Sequence, residues 1–314
     1  MTRTIAFLNQ KGGVGKTTTT VNLAAALAER KRSVGLIDLD PQAHLTLHLG
    51  VENDERPTVY DLLVDDSVTA EAAMAPVNDR MFLIPAEVDL AAAEQELANA
   101  PERNRILARK LESSSLVRKL DFLFIDCPPS LGLLTLNALG AVREVMVPMQ
   151  AHFLALQGVS RLLETVGMVC QQVNPRLEMT GVILCMYEGQ TRLASEVVSD
   201  LESFFESQRE HAVPWRNCRV LQPPIRRNIK LAEAPSFGAS ILSYDAECAG
   251  AQDYRSLAAA LIEDTKLRHA DSPRHTESHD REPPEVTVVA SGMQDEVETQ
   301  EVEVIESGAE SASS

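Results

Sequence analysis

Aromatic residues make up only 4% of this chain of 314 residues, and tryptophan occurs once, at Trp215. No run of about 18 apolar residues occurs, so the sequence carries no membrane-spanning helix. Met1-Thr2-Arg3-Thr4 passes straight into a strand-like run without the architecture of a secretory leader, and a cytoplasmic protein is expected. Cysteine is sparse and scattered: Cys127, Cys170, Cys185, Cys218 and Cys248 lack Cys-x-x-Cys spacing, which argues for buried thiols over a disulfide framework or a zinc site. Positive charge is also short, with 29 Lys+Arg against 46 Asp+Glu and a net charge of −17.

That negative charge is uneven. Residues 271–314 hold twelve acidic residues against Arg274 and Arg281, which is −10 of the total −17. The stretch is rich in Ser, Glu and Pro and lacks aromatics, so it has too little apolar surface to offset the entropy of ordering its backbone. The expected organisation is one folded domain over residues 1–267 followed by an acidic, disordered tail over 268–314. Two Val-rich patches in it, at 286–289 and 302–305, are suited either to solvated tail or to pairing with a partner or a sheet edge.

Ahead of the tail, short β-branched or apolar runs alternate with longer stretches of helical periodicity. Strands are predicted at 4–9, 33–38, 81–85, 122–126, 144–148, 181–186 and 240–243, and helices at 16–30, 87–98, 103–120, 131–141, 154–173, 191–207 and 250–267. This alternation builds right-handed βαβ units: the fold class is α/β, a mostly parallel twisted sheet with helices on both faces. Ligands of such sheets sit at the carboxyl ends of the strands.

One of those ends carries the most informative residues. After the first strand comes Lys11-Gly12-Gly13-Val14-Gly15-Lys16-Thr17-Thr18, then an amphipathic run from Val21. Glycines let backbone N–H groups wrap phosphate oxygens, the helix N-terminus adds its positive end, Lys16 reaches the β- and γ-phosphates, and Thr17 offers a hydroxyl to Mg²⁺. Gln10 stands where the standard phosphate loop has its first glycine, so the match is to the variant K-G-G-x-G-K-[ST], which adds a second lysine, Lys11. Two strands then end in acid: Asp38-Leu39-Asp40-Pro41-Gln42 and Asp126-Cys127-Pro128-Pro129-Ser130. A carboxylate at a strand tip beside a phosphate cradle can hold Mg²⁺ through water or orient an attacking water.

With Asn9 through Thr19, Val21-Asn22-Leu23-Ala24, Asp38 through Gln42, Ile125 through Ser130, Met186-Tyr187 and Leu231 through Gly238, the chain resembles the ParA-type partition ATPases over about residues 3–266. These belong to the deviant Walker A class of P-loop ATPases, which also holds MinD. The resemblance implies a Mg²⁺-dependent, partner-stimulated ATPase that forms a homodimer around ATP. It assigns Lys11 to the partner subunit's phosphates, Lys16 and Thr17 to phosphate and Mg²⁺ in the same subunit, Asp40 to the hydrolytic water and Asp126 to a water-mediated Mg²⁺ contact. Catalysis thus falls to Lys11, Lys16 and Asp40. Lys11 through Thr18 and Asn228 would bind ATP, and Thr17, Asp40 and Asp126 the metal.

The resemblance also implies nonspecific binding of double-stranded DNA in the ATP state, association with the nucleoid and a ParB-like activating protein. Arg192, Arg226, Arg227 and Lys230 are the candidate DNA contacts. The segment 205–235 carries Arg209, Arg216, Arg219, Arg226, Arg227 and Lys230 against Glu206, Glu210 and Glu233, a balance of +3 that reads as a local basic patch or a solvated charged face. Two departures weaken the DNA reading: Gln190 stands where relatives commonly have Arg, and Arg226 replaces the proline of an I-P-R-N turn. Residues 214–223 look inserted, either as a hairpin for DNA or a partner or as a loop packing Trp215 on the body.

Rival readings lose on composition. A membrane cycler like MinD would want a basic amphipathic C-terminal helix, and residues 268–314 are acidic and broken by Pro273, Pro283 and Pro284, so no membrane partner is expected. An iron protein would need cluster-ligating cysteines, for which Cys127 is misplaced. An amidase would carry a further amidotransferase domain, for which there is no length, and three residues before the first strand leave no room for an operator-binding domain. The alternative that stays open is an orphan ATPase of the same family that positions a non-DNA cargo, or acts as a MinD-like spatial regulator.

Overall fold

The run Phe122-Leu123-Phe124-Ile125-Asp126 is buried at every residue, as a strand covered on both faces requires. In the computed structural model, which describes residues 2–52, 55–152 and 155–270, it is β5 (Phe122–Asp126) at the centre of an eight-stranded sheet. The others are β1 (Arg3–Phe7), β2 (Val34–Asp38), β3 (Ala75–Pro76), β4 (Met81–Ile84), β6 (Glu144–Met149), β7 (Glu178–Leu184) and β8 (Arg219–Val220). Their order is β3-β4-β2-β5-β1-β6-β7-β8, and only the β3–β4 pair is antiparallel. The registers Phe7↔Asp126 and Asp38↔Asp126 bring the ends of β1, β2 and β5 level, so the first loop and both acidic motifs emerge at one rim.

Side chains alternate between two cores. Phe122 and Phe124 join Ile5, Phe7, Leu27 and Leu257 on one face, while Leu123 and Ile125 join Leu8, Leu107 and Leu139 on the other. Phe7 and Phe124 meet edge to face at 5.1 Å. Helix α1 (Lys16–Glu29) and the helix Ala249–Ala270 both line the first face, through Leu23, Leu27, Leu257 and Leu261. Trp215 is partly buried against the other core, 3.8 Å from where a Cβ on Gly167 would lie, so the apparent insertion packs its tryptophan on the body.

Several expectations change. Residues 241–244 form a short helix, Ile241–Tyr244, instead of a strand, because the buried Asn22 side chain accepts the Ile241 N–H at 2.7 Å and caps that turn from outside. The predicted helix over 103–120 breaks after Ile106–Ser113, where Glu71 accepts from the Ser114 hydroxyl and the Ser115 N–H, both at 2.8 Å, and draws the chain into a separate turn. β3 and β8 are additions. The helix Ala249–Ala270 runs through the expected boundary at 268, and residues 271–314 lie outside the described residues.

Candidate nucleotide site

Between β1 and α1 the backbone turns through Gly13 (φ 71°) and Gly15 (φ 98°), a region that costs side-chained residues strain. At Gly15 there is no room either, since a Cβ would meet Cys185 Cβ and Sγ at 3.3 Å. Asn9 pins the start of the loop: its side chain donates to the Pro148 carbonyl at 2.8 Å and accepts from the Lys11 N–H at 3.0 Å. No side chain caps α1, so its first N–H groups are left for an anion in the loop. The two lysines part company. Lys16 is nearly buried and folds back toward the Lys11 carbonyl at 3.5 Å, whereas the Lys11 ammonium stands outside the loop, 2.9 Å from His152 Nε2. Val14 is buried and serves packing.

Beneath the loop, the Thr17 hydroxyl donates to Asp126 Oδ2 at 2.5 Å. Asp126 is 1% exposed and its Oδ1 has no partner among the described residues. Burial first, then the charge of Asp38, pushes its carboxyl up to about 8. Asp38 is buried too, raised to about 6 chiefly by desolvation, but it is satisfied: it accepts from the Thr46 N–H at 2.9 Å, the Thr46 hydroxyl at 2.8 Å and the Asp40 N–H at 3.3 Å. That network folds the loop after β2 and holds Asp40 at the mouth of the site, where it accepts from the Gln42 N–H at 3.0 Å.

A cleft of about 730 Å³ opens above the loop. Gly12, Gly13, Gly15, Lys16, Thr17 and Thr18 line it on one side, with Asp40 nearby, and Arg226, Arg227 and Asn228 on the other. Asn228 accepts the Lys230 N–H at 2.9 Å and so shapes its own turn. Of the basic candidates, Arg226 grips Asp253 at 2.7 Å, Arg227 pairs with Glu188 at 3.0 Å, and Arg192, 92% exposed, pairs with Glu196 at 2.8 Å. Lys230 pairs with Glu233 at 3.0 Å beside the Tyr244 ring. The segment 205–235 is not one patch: Arg209, Arg216 and Arg219 line a different cleft at the amino ends of the strands, because β8 carries the chain from that end of the sheet to the other before Arg226.

Residues 2–179 match the family model described as an AAA domain. The chain is 41% identical to the chromosome-partitioning ATPase Soj of Treponema pallidum, covering 83% of this chain and 98% of that one. It is 42% identical to the sporulation initiation inhibitor protein Soj of Bacillus subtilis, covering 82% and 97%. The chain belongs to the ParA/Soj family of P-loop ATPases. A structure of cobyrinic acid a,c-diamide synthase from Mycobacterium smegmatis with bound ADP and magnesium superposes with a TM-score of 0.69 at 38% identity, covering 85% of this chain and 96% of that one. That coverage removes length as an argument against the amidase reading, since a chain of similar extent bears that name.

For a ParA/Soj family site, the residues present fit ATP and Mg²⁺. The glycine turn, the uncapped helix and Lys16 suit phosphates, and the lone Asp126 oxygen beside the Thr17 hydroxyl suits a cation's hydration shell. Among the described residues no group of three or more His, Cys, Asp or Glu could hold a metal unaided. No described helix is long and apolar enough to cross a membrane. Sequence reasoning missed Thr19, Cys185 and Tyr254, which meet under the loop, with Thr19 Oγ1 3.2 Å from the Tyr254 hydroxyl and 3.5 Å from Cys185 Sγ. These residues are far apart in the chain and no local pattern links them.

Proposed function

We propose that this chain is a partition ATPase that closes into a homodimer around ATP, holds double-stranded DNA without sequence preference in that state, and hydrolyses ATP to ADP and phosphate when a ParB-like partner stimulates it. The observation that supports this reading is the divergence of the two loop lysines: Lys16 turns into the cradle, and Lys11 turns out of it to the exposed His152 ring. An ammonium delivered from a second subunit adds transition-state stabilisation only after assembly, which ties hydrolysis to dimerisation.

Within one subunit, backbone N–H groups from Gly12 to Thr18 bind the phosphates, Lys16 bridges the outer two, and Asn228 contacts the base. Mg²⁺, when bound, neutralises phosphate charge. Thr17, Asp126 and Asp40 are the residues that would hold the ion, and Asp40 orients the attacking water. In this reading Arg192, Arg226, Arg227 and Lys230 release their carboxylate partners to take DNA phosphates, and the protein is cytoplasmic and nucleoid-associated. A second reading, the same ATP switch positioning a protein cargo or acting as a spatial regulator, draws on the carboxylate partner each of these four cations already has.

Binding of the full chain to random duplex DNA with ATP, with ADP and without nucleotide, across a salt series, separates the two. The DNA reading expects tight, salt-steep binding with ATP alone, and an Arg227→Glu protein that still binds ATP but has lost affinity and about one unit of salt slope. ATP-dependent dimerisation without DNA binding in any state would leave the cargo reading standing.

A further inference from the structure

We propose that the amino end of the sheet, remote from the nucleotide, is a docking cleft for an extended acidic peptide that carries branched aliphatic side chains. The cleft measures about 880 Å³ and is lined by seven arginines against three carboxylates, a balance of +4 in a chain of net charge −17. Part of this charge is structural. Glu144 is consumed by a two-pronged contact from Arg3 at 2.8 and 2.7 Å, and Asp264 is shared among Arg3, Arg219 and Arg268. Arg209 pairs with Glu206 at 2.9 Å. Arg143, Arg176 and Arg216 are left against the single carboxylate Glu178: all three arginines are exposed, line the cleft and have no ion pair among the described residues. None of the three guanidinium groups makes a hydrogen bond among the described residues.

Arginine suits this task because its planar fork meets a carboxylate with two parallel hydrogen bonds. Arginine binds phosphates equally well, and two further features decide for a peptide. The first is a smaller cavity of about 240 Å³ that shares the walls Arg3, Arg219 and Asp264 with the cleft and is lined by Leu23, Met146, Leu257 and Leu261. It offers an aliphatic anchor beside the charges, which a nucleic-acid backbone cannot use. The second is β8, the two-residue strand at the edge of the sheet, where an extended chain can add backbone hydrogen bonds. A peptide of alternating acidic and branched aliphatic residues presents its carboxylates to the arginines and its aliphatic side chains to the cavity.

The test uses the full chain and fluorescence anisotropy of three labelled probes: a peptide alternating glutamate and valine, an all-glutamate peptide of equal charge, and a short duplex DNA. The proposal expects the Glu-Val peptide to bind best, independently of nucleotide and more weakly as salt rises. Arg143→Glu combined with Arg176→Glu and Arg216→Glu should lower its affinity by about tenfold or more with ATP hydrolysis unchanged. Ala260→Gln, at an exposed position on the wall of the smaller cavity, leaves every charge in place and should erase the preference for Glu-Val over all-glutamate. Equal affinity of the wild-type chain for the two peptides, or a Glu-Val affinity indifferent to the triple reversal, would overturn the proposal. So would duplex DNA being the one probe that the reversal releases, which would make this end a nucleic-acid face.

Discussion

Asp126 and Glu144 are both buried carboxylates, at opposite ends of the two strands that flank β1, and the fold treats them differently. Glu144, at the amino end of β6, is closed off by the Arg3 fork and by the Thr180 hydroxyl at 2.8 Å. Asp126, at the carboxyl end of β5, takes one hydrogen bond from Thr17 and leaves its other oxygen alone. Burying a charged group without partners costs more than most single contacts return, so a domain that fully satisfies one carboxylate and not the other marks the second as a place for something from outside. The same contrast runs along the whole sheet. One end has bare helix N–H groups, an outward lysine and an open oxygen, and the other has its innermost charges tied.

The largest way to sharpen that contrast is at Lys16. Lys16→Ala removes the ammonium inside the cradle and should cut ATP hydrolysis by about 10³-fold or more while the chain stays folded. Single-turnover assays and thermal melts on one preparation check both halves, and a protein that hydrolysed normally would move the phosphate site elsewhere. Next comes the closed end. Arg3→Ala strands the buried Glu144, leaves Asp264 to Arg219 and Arg268, and should cost about 3–5 kcal/mol in urea unfolding. ATP affinity of the folded fraction should not change. If it fell in step with stability, the two ends would be coupled and the contrast drawn above would fail.

How far the chain could be read from its sequence follows the same geography. Six strands and the long helices were legible because apolar runs and helical periods are local signals, and the phosphate loop because its glycines and lysines lie within eight residues. β3 and β8 were not, being two residues each and existing only by pairing with a neighbour. The helix Ile241–Tyr244 was misread because what settles it is Asn22, more than two hundred residues earlier. The resemblance alone picks out Asp40 over Asp38; the physical difference is that Thr46 makes Asp38 a scaffold and leaves Asp40 at the cleft. The basic segment 205–235 summed to one patch on paper and became two surfaces once β8 ran between them.

The smallest expected effect lies at the seam behind the cleft. His48 is 3% exposed, its Nε2 has no partner among the described residues, and its ring bonds the Ala239 backbone. Burial lowers it from its ordinary value of 6.5 to about 4. Because the folded value lies below the unfolded one, the unfolded chain takes the proton first: the stability from a neutral His48 is fully present above about 6.5 and is lost as pH falls toward about 4. Asp38 and Asp126 have raised values and therefore act in the opposite sense, gaining stability as pH falls, so the raw curve of stability against pH mixes both signs. Subtracting the curve of a His48→Gln protein isolates the histidine. The stability difference between the two proteins should shrink by about 1 kcal/mol from pH 7 to about pH 5.5. A difference that stayed constant over that range would mean that His48 keeps an ordinary pKa, and that the seam between residues 48–50 and 238–239 is wetter than its packing implies.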